Sequence, residues 1–249
     1  AFLLDGTAGD GATANAKVQA FDGRETAPAA ATEDMLLNAE GQPLAFHAAV
    51  VGGRSVGTPG VLRMLAQAHA QHGKLPWAKL FEPAIALANQ GFAISPRLHA
   101  QLKADAYLRS DPTARAYFYQ ANGEPHAIGH VLRNPELAAV LQRIATEGVQ
   151  AFYSGEVAEA VVRKVQQHPS NPGRLALSDL ANYQSKERTP VCFDHATASR
   201  VYRVCGFPPP SSGAIAIGQI LGMLQHTPAS LMSPPTEAVD GTPDPRWLH

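Results

Sequence analysis

Proline and glycine divide residues 58–167 into short helical segments, and this punctuation limits the possible folds more than any other feature of the sequence. Proline suits the first turn of a helix and glycine the position just past its end, because their backbone preferences match those positions. Ser95-Pro96 and Asn134-Pro135 therefore predict helix starts, and Gly91 and Gly148 predict helix ends. The predicted helices begin at Thr58, Pro76, Ser95, Asn134 and Phe152, with a kink or a junction of two helices at Pro83 and a short helical turn capped by Ser178.

Strand-like segments lie towards both ends of the chain. Residues 1–5 and 16–21 flank a Gly-rich turn and predict a β-hairpin, and residues 188–193 and 201–206 predict two further strands. The last predicted helix covers residues 214–224, with Ser211 or Ser212 as its cap. We expect a single domain over residues 1–249 because neither a linker nor a repeat is visible, and we expect a loop over residues 227–249, which are rich in Pro, Ser and Thr.

The composition excludes several classes of protein. Hydrophobic residues make up 45% and charged residues 16%, as in folded globular proteins rather than disordered chains. The formal net charge is −1 and there is no dense stripe of Lys and Arg, which argues against a nucleic-acid or anionic-membrane partner. The strongly apolar stretch at residues 214–224 is too short to span a bilayer, so no membrane span is expected.

Two cysteines, Cys192 and Cys205, lie thirteen positions apart. Zinc sites use more ligands at tighter paired spacings, so this pair does not predict a metal centre. A disulfide is one possibility, and two free buried thiols are the interpretation that we favour from the sequence.

The stretch FDGRETAP at residues 21–28 places an arginine between two acids and stops at proline. In one interpretation Arg24 pairs with Asp22 or Glu25 on an exposed turn, where an ion pair is worth little. In the other, the turn presents a planar guanidinium to a ligand carboxylate, a role that lysine fills poorly. Local chemistry favours the first interpretation and leaves the second open.

Three other polar segments are better explained by structure than by chemistry. SVGTPG suits a tight turn before a helix, and PPPSSG suits a stiff approach to a helix start. KERTPV suggests an ion pair of Glu187 with Arg188, or of either with other neighbours.

Histidines do not form a convincing metal site in the sequence. His69 and His72, like His126 and His130, have no third ligand placed with them, so we interpret them as solvated residues. The sequence also lacks a phosphate-binding loop, a G-x-S-x-G elbow and an H-E-x-x-H pair. No metal and no cofactor is expected.

Taken in order, seven segments of the chain resemble the gamma-glutamyltransferase (gamma-glutamyl transpeptidase) family. Each segment is modest alone, and their order and spacing together make the resemblance specific. They are AFLL, DGRETAP, SVGTPG, LPWAKLFEPAIALANQGF, FYSGEVAEAVV, SDLANYQSKERTPV and VYRVCGFPPPSSGAIAIGQIL.

The resemblance implies an α+β fold, the four-layer αββα sandwich of the N-terminal-nucleophile hydrolases, of which this chain would supply the helix-rich large-subunit part. In this family a precursor cleaves itself into a large and a small subunit. The new N-terminal threonine of the small subunit attacks the gamma-glutamyl amide of glutathione or a related compound, with its own alpha-amino group as the base. The implied partners are a gamma-glutamyl small molecule and the small subunit.

The resemblance also implies a role for one residue of this chain. In the family, the arginine of the D-x-R-E-x-A-P stretch binds the alpha-carboxylate of the gamma-glutamyl group, and Arg24 stands at that position. Glu25, Thr26 and Pro28 would form the turn that aims it. No catalytic residue is assigned, because the resemblance places the threonine beyond His249, and both ends suggest a piece of a longer protein. The chain alone is therefore expected to be inactive.

Two alternatives stay open. A glutaryl or cephalosporin acylase of the same fold would act on a substrate that also carries a carboxylate, so Arg24 alone cannot separate the two activities. A non-catalytic homologue would bind gamma-glutamyl compounds without turnover. The family resemblance, and nothing else in the sequence, implies a periplasmic or secreted location.

Overall fold

Several helices in the structure begin or end where proline and glycine predict. The computed structural model describes residues 2–5, 17–197 and 200–227. Its helices are α1 (Phe46–Val50), α2 (Val61–His72), α3 (Glu82–Gln90), α4 (Pro96–Ala104), α5 (Pro112–Phe118), α6 (Pro135–Glu147), α7 (Gln150–Tyr153), α8 (Gly155–Gln166), α9 (Leu177–Asn182) and α10 (Gly213–Leu224), with 3₁₀ turns at Trp77–Leu80 and Leu108–Ser110. Its strands are β1 (Phe2–Asp5), β2 (Lys17–Asp22), β3 (Phe92–Ala93), β4 (Val131–Leu132), β5 (Lys186–Arg188), β6 (Val191–Ala196) and β7 (Val201–Gly206).

Ser95 and Asn134 cap α4 and α6 as predicted. Each side-chain oxygen accepts a hydrogen bond from the backbone N–H three residues on, at 3.1 Å for Ser95 and 2.8 Å for Asn134. These bonds satisfy donors that the first helical turn leaves unpaired. Gly91 ends α3 with φ 87°, and Gly148 ends α6 with φ 83°. Pro83 is the second residue of α3, so the predicted junction of two helices lies between the Trp77–Leu80 turn and α3.

Thr58 does not cap α2, contrary to the prediction. The N-cap of α2 is Gly60, and the helix begins at Val61. The N–H and carbonyl of Thr58 are instead used in an isolated antiparallel bridge with Thr26. A residue whose backbone pairs in this extended arrangement cannot also enter the helix.

Two later helices also differ from the prediction. The N-cap of α9 is Ala176, so Ser178 lies within its first turn, and the Asp179 carboxylate accepts a hydrogen bond from the Ala176 N–H at 2.8 Å. The segment predicted as one helix over residues 152–167 is divided into α7 and α8, with extended backbone at Ser154.

The chain separates into two units, residues 1–22 with 186–249, and residues 23–185. The single domain over residues 1–249 stays a prediction. In the first unit, β1, β2 and β5 form an antiparallel sheet in that order, which confirms the predicted hairpin of β1 and β2. From residue 228 onwards, the predicted loop lies outside the described residues.

The two cysteines form a disulfide, so the prediction of free thiols is wrong. β6 and β7 pair in an antiparallel register that places Cys192 directly opposite Cys205, with the Cα atoms 4.1 Å apart. A spacing of thirteen residues does not reveal this, because the pairing depends on where the hairpin turns. Helix α10 packs against the same hairpin. Among the described residues, no helix combines the length and apolar character needed to cross a membrane.

The second unit contains a hydrophobic core to which α8 and α9 contribute side chains. Helix α8 contributes Ala158, Val162 and Val165, which are spaced so that they share one face. They pack with Tyr153, Leu175, Leu180 and Tyr183 in one buried cluster. This cluster lies under the chain segment that carries Arg24, as the contacts below show.

Candidate functional site

The turn that carries Arg24 follows β2 directly and lies close against α2. Gly23 permits this approach, because a Cβ at that position would lie 2.5 Å from the Cβ of Met64. Met64 itself is buried on α2. The sequence therefore needs glycine before Arg24 for space rather than for an unusual backbone angle.

Backbone pairing fixes the turn two residues after Arg24. The Thr26 N–H donates to the Thr58 carbonyl at 3.3 Å, and the Thr58 N–H donates to the Thr26 carbonyl at 2.8 Å. Thr58 is 1% exposed, so the Thr58 side of this bridge is shielded from water. The segments DGRETAP and SVGTPG, which are separate in the sequence, thus lie next to each other in the structure.

A buried tyrosine contacts Arg24 itself. The Tyr183 hydroxyl donates a hydrogen bond to the Arg24 carbonyl at 2.7 Å. Tyr183 belongs to the core cluster and stacks on Tyr153, with the ring centroids 6.4 Å apart. The Tyr153 hydroxyl donates in turn to the Pro59 carbonyl at 2.8 Å. Burial raises the pKa of Tyr153, which keeps its hydroxyl protonated and able to donate.

The Arg24 side chain points to solvent. It is 58% exposed, and its Nε lies 2.8 Å from Oε1 of Glu25. The local interpretation of an arginine paired with its neighbour is therefore correct for Glu25. Such an exposed pair is weak, so a ligand carboxylate can compete for the guanidinium at small cost. Within the turn, Thr26 is exposed and Pro28 is buried.

Asp22, the other predicted neighbour, pairs with Arg188. Its Oδ2 accepts a hydrogen bond from Nε of Arg188 at 3.0 Å and lies 3.0 Å from Nη2 of the same guanidinium, with which it forms an ion pair. Glu187 accepts from the Gln19 side chain at 3.0 Å. The acid and the arginine of KERTPV therefore each pair with β2 rather than with each other.

The remaining sequence candidates form no second site. In PPPSSG the Ser211 hydroxyl accepts from the Gly213 N–H at 3.3 Å, while the Ser212 side chain makes no capping bond. His69 contacts the Leu75 carbonyl at 2.8 Å, and His126 stacks on His130. Across residues 2–5, 17–197 and 200–227, no three His, Cys, Asp or Glu side chains are grouped closely enough to hold a metal ion.

Three cavities among the described residues are lined by side chains other than Arg24. A cavity of about 570 Å³ lies between α5 and α8, where Asp111, Arg163 and Lys164 line it. The Arg24 turn is a surface feature with a fixed backbone. It can supply one charged contact to a ligand, but on the described residues it does not enclose one.

The sequence predicts a binding role for Arg24 but does not reveal the residues that fix the backbone of Arg24. Tyr183 was visible only as the last residue of SDLANY, and nothing local connects it with Arg24 across 159 positions. Gly60 was interpreted as part of a turn, whereas a Cβ there would lie 2.0 Å from the Tyr183 hydroxyl oxygen. The available signal was the resemblance, which included both segments.

Known proteins resemble this chain over most of its length. A family model described as Gamma-glutamyltranspeptidase matches residues 11–240. Glutathione hydrolase 2 of Arabidopsis thaliana is 42% identical over 215 residues, which cover 85% of this chain and 34% of that protein. The glutathione hydrolase proenzyme of Escherichia coli is 37% identical over 219 residues, covering 85% and 35%. The chain thus spans about a third of the length of these curated relatives.

Solved structures show the same relationship. The gamma-glutamyltranspeptidase of Helicobacter pylori superimposes with a TM-score of 0.80 and 29% identity, covering 94% of this chain and 63% of that one. A cephalosporin acylase of Bacillus halodurans gives 0.64 and 26%, covering 84% and 38%. These similarities confirm the α+β fold class of N-terminal-nucleophile hydrolases. The chain belongs to the gamma-glutamyltranspeptidase family.

Proposed function

We propose that this chain is the large-subunit part of an enzyme that hydrolyses or transfers the gamma-glutamyl group of glutathione and related compounds. The nucleophile would be the N-terminal threonine of the small subunit, which is outside this chain. Its hydroxyl would attack the gamma-carbonyl carbon, the amide C–N bond would break, and the released amine would take up the proton. Water or an acceptor amine would then remove the gamma-glutamyl group from the threonine.

In this proposal Arg24 binds the alpha-carboxylate of the gamma-glutamyl group. The observation that carries it is an exposed guanidinium on a backbone fixed by two buried groups, Thr58 and Tyr183. A carboxylate and a guanidinium form two parallel charge-assisted hydrogen bonds, which set orientation as well as affinity. Fixing the amino-acid end of the substrate would position the distant gamma carbon for attack.

The test is substitution of Arg24 in the complete, processed protein, with gamma-glutamyl-p-nitroanilide as the donor. Arg24→Ala should lower kcat/KM roughly ten- to hundredfold, mainly through KM, since hydrogen bonds to charged groups contribute about 1.5–3 kcal/mol. Arg24→Lys should retain the charge but lose the paired geometry, and should still raise KM.

Arg97→Ala is the matched control, because Arg97 is an exposed arginine on α4 that lies outside the turn. It should leave donor kinetics unchanged. Unchanged donor KM in both Arg24 variants would show that the carboxylate site lies elsewhere.

A second candidate function is a glutaryl or cephalosporin acylase, which the similarity to the Bacillus halodurans acylase supports. A glutaryl group keeps a carboxylate but lacks the alpha-amino group, so both activities would use Arg24. Parallel assays with gamma-glutamyl and glutaryl p-nitroanilides distinguish them. Cleavage of the glutaryl compound alone would favour the acylase, and binding without cleavage of either would favour a non-catalytic homologue.

We further propose that the chain is paired with a small subunit cut from the same precursor, in an exported protein. The name "proenzyme" of the Escherichia coli relative supports the pairing with a small subunit. The Cys192–Cys205 disulfide supports the export, because disulfides persist in oxidising compartments such as the periplasm or the exterior.

A further inference from the structure

The contact between Tyr183 and Arg24 joins a buried residue to an exposed one. Tyr183 is 7% exposed, and its hydroxyl donates to the Arg24 carbonyl at 2.7 Å. The Thr26–Thr58 bridge fixes the turn two residues further on, whereas the tyrosine fixes the peptide unit of Arg24 itself. The Arg24 carbonyl carbon is bonded to the Arg24 Cα, so a hydrogen bond that holds this carbonyl also restrains the Cα from which the Arg24 side chain extends.

The surroundings of Tyr183 are built to place its hydroxyl at that carbonyl. A Cβ on residue 60 would lie 2.0 Å from the hydroxyl oxygen and 2.1 Å from Cζ, so only glycine leaves room for the ring. On its other side the ring belongs to the core cluster, together with Leu180 and Tyr153. The hydroxyl position is therefore determined by packing and not by the hydrogen bond alone.

We propose that Tyr183 is a positioning residue for Arg24, and that its hydroxyl holds the Arg24 peptide unit in the orientation that binds the substrate carboxylate. This inference rests on the proposed function. Tyr183 does not contact the substrate; it acts through the Arg24 backbone. Gly60 contributes to the same arrangement, because the lack of a side chain at this position leaves room for the Tyr183 hydroxyl at the Arg24 carbonyl.

The test is Tyr183→Phe in the complete, processed protein, which removes one oxygen and keeps the ring. The KM for gamma-glutamyl-p-nitroanilide should rise about three- to tenfold, the size expected for one lost hydrogen bond, with kcat within about twofold of wild type. Gly60→Ala, at the N-cap of α2, adds a methyl group that should displace the Tyr183 hydroxyl and also raise KM. The proposal therefore stays testable even if the Tyr183 variant folds poorly.

Tyr119→Phe is the control for a purely structural effect. Tyr119 is 3% exposed, and its hydroxyl donates to the Leu102 carbonyl at 2.9 Å, remote in sequence from the Arg24 turn. Both phenylalanine variants should lower thermal stability, but Tyr119→Phe should leave KM unchanged. Equal KM values in the two variants would overturn the proposal.

Combining Tyr183→Phe with Arg24→Ala separates this inference from the proposed function. If Tyr183 acts through Arg24, Tyr183→Phe should change KM little in a protein that already carries Arg24→Ala. A KM raised by Arg24→Ala but not by Tyr183→Phe would contradict only the positioning role. A KM unaffected by Arg24→Ala would also contradict the part of the proposed function that assigns the substrate carboxylate to Arg24.

Discussion

Arg24 combines an exposed side chain with a backbone fixed from the interior. The guanidinium is 58% exposed and its local partner Glu25 is comparably exposed, while Thr58 and Tyr183 are buried. A ligand can therefore reach the charged group, and the cost of ordering the turn is met during folding rather than on binding. This arrangement favours a binding role over a purely structural ion pair.

The stacked pair of His126 and His130 gives a pH-dependent prediction at the same scale. The ring centroids are 4.0 Å apart, and the pKa of His126 is lowered, first by burial and second by the charge of His130. Since the folded pKa is below the unfolded value of about 6.5, the contribution of His126 to stability is complete above that pH. It should be lost as the pH falls through 6.5 towards the folded pKa.

Replacing His130 tests this cause. In His130→Gln the charge effect is removed and burial remains, so the pKa of His126 should rise but stay below 6.5, as NMR titration of the ring protons would show. His69→Gln, on α2, should leave it unchanged. An unaltered His126 pKa in His130→Gln would mean that burial alone causes the shift.

At the scale of elements, the N-cap residue, which lies immediately before a helix, can stabilise the start of that helix. Ser95, Asp111 and Asn134 each precede proline and each accept a hydrogen bond from the N–H three residues on. Ser178 has the right chemistry but the wrong position, since α9 begins before it. Residue type and position are both required for a cap.

A pair of alanine variants tests that distinction. Asn134→Ala should lower the free energy of unfolding by about 1 kcal/mol, because it removes the acceptor for the Leu137 N–H. Ser178→Ala, at an exposed position, should change it by less than about 0.5 kcal/mol. Urea titration of the complete protein gives both values, and a larger loss in Ser178→Ala would contradict the observed start of α9.

At the scale of the whole chain, pairing of distant segments determines the structure of each unit. Asp22 and Arg188 are 166 positions apart and join β2 to β5. Asp22 is largely buried, with a side chain 9% exposed. A buried carboxylate depends strongly on its charged partners, since it has lost most of its hydration.

Arg188→Ala should therefore lower the free energy of unfolding by about 3 kcal/mol. Arg203→Ala is the matched control, because Arg203 and Asp194 form an ion pair at the same 3.0 Å distance with side chains 65% and 60% exposed. That pair should contribute at most about 1 kcal/mol. Equal losses in the two variants, measured by chemical denaturation, would show that burial of Asp22 does not govern its pairing.

The starts of α4 and α6, the ends of α3 and α6, and the first hairpin could be predicted from the sequence alone. These boundaries depend on the backbone preferences of one or two residues, so they can be predicted from the local sequence. The residues concerned are Ser95, Gly91, Asn134 and Gly148. The proposed role of Arg24 rests on the family resemblance, because the local chemistry of Arg24 is satisfied by Glu25. The helix start at Thr58 was misplaced because its backbone pairs with Thr26, a partner that local sequence does not show.

By itself the sequence determined the family and the residue that presents the guanidinium. Only the tertiary structure decided that Cys192 joins Cys205, that Asp22 pairs with Arg188, and that Tyr183 fixes Arg24. Each of these contacts joins residues from different elements, so each depends on strand register or on how side chains fill a shared core. Those quantities belong to the packed chain and not to any single segment of it.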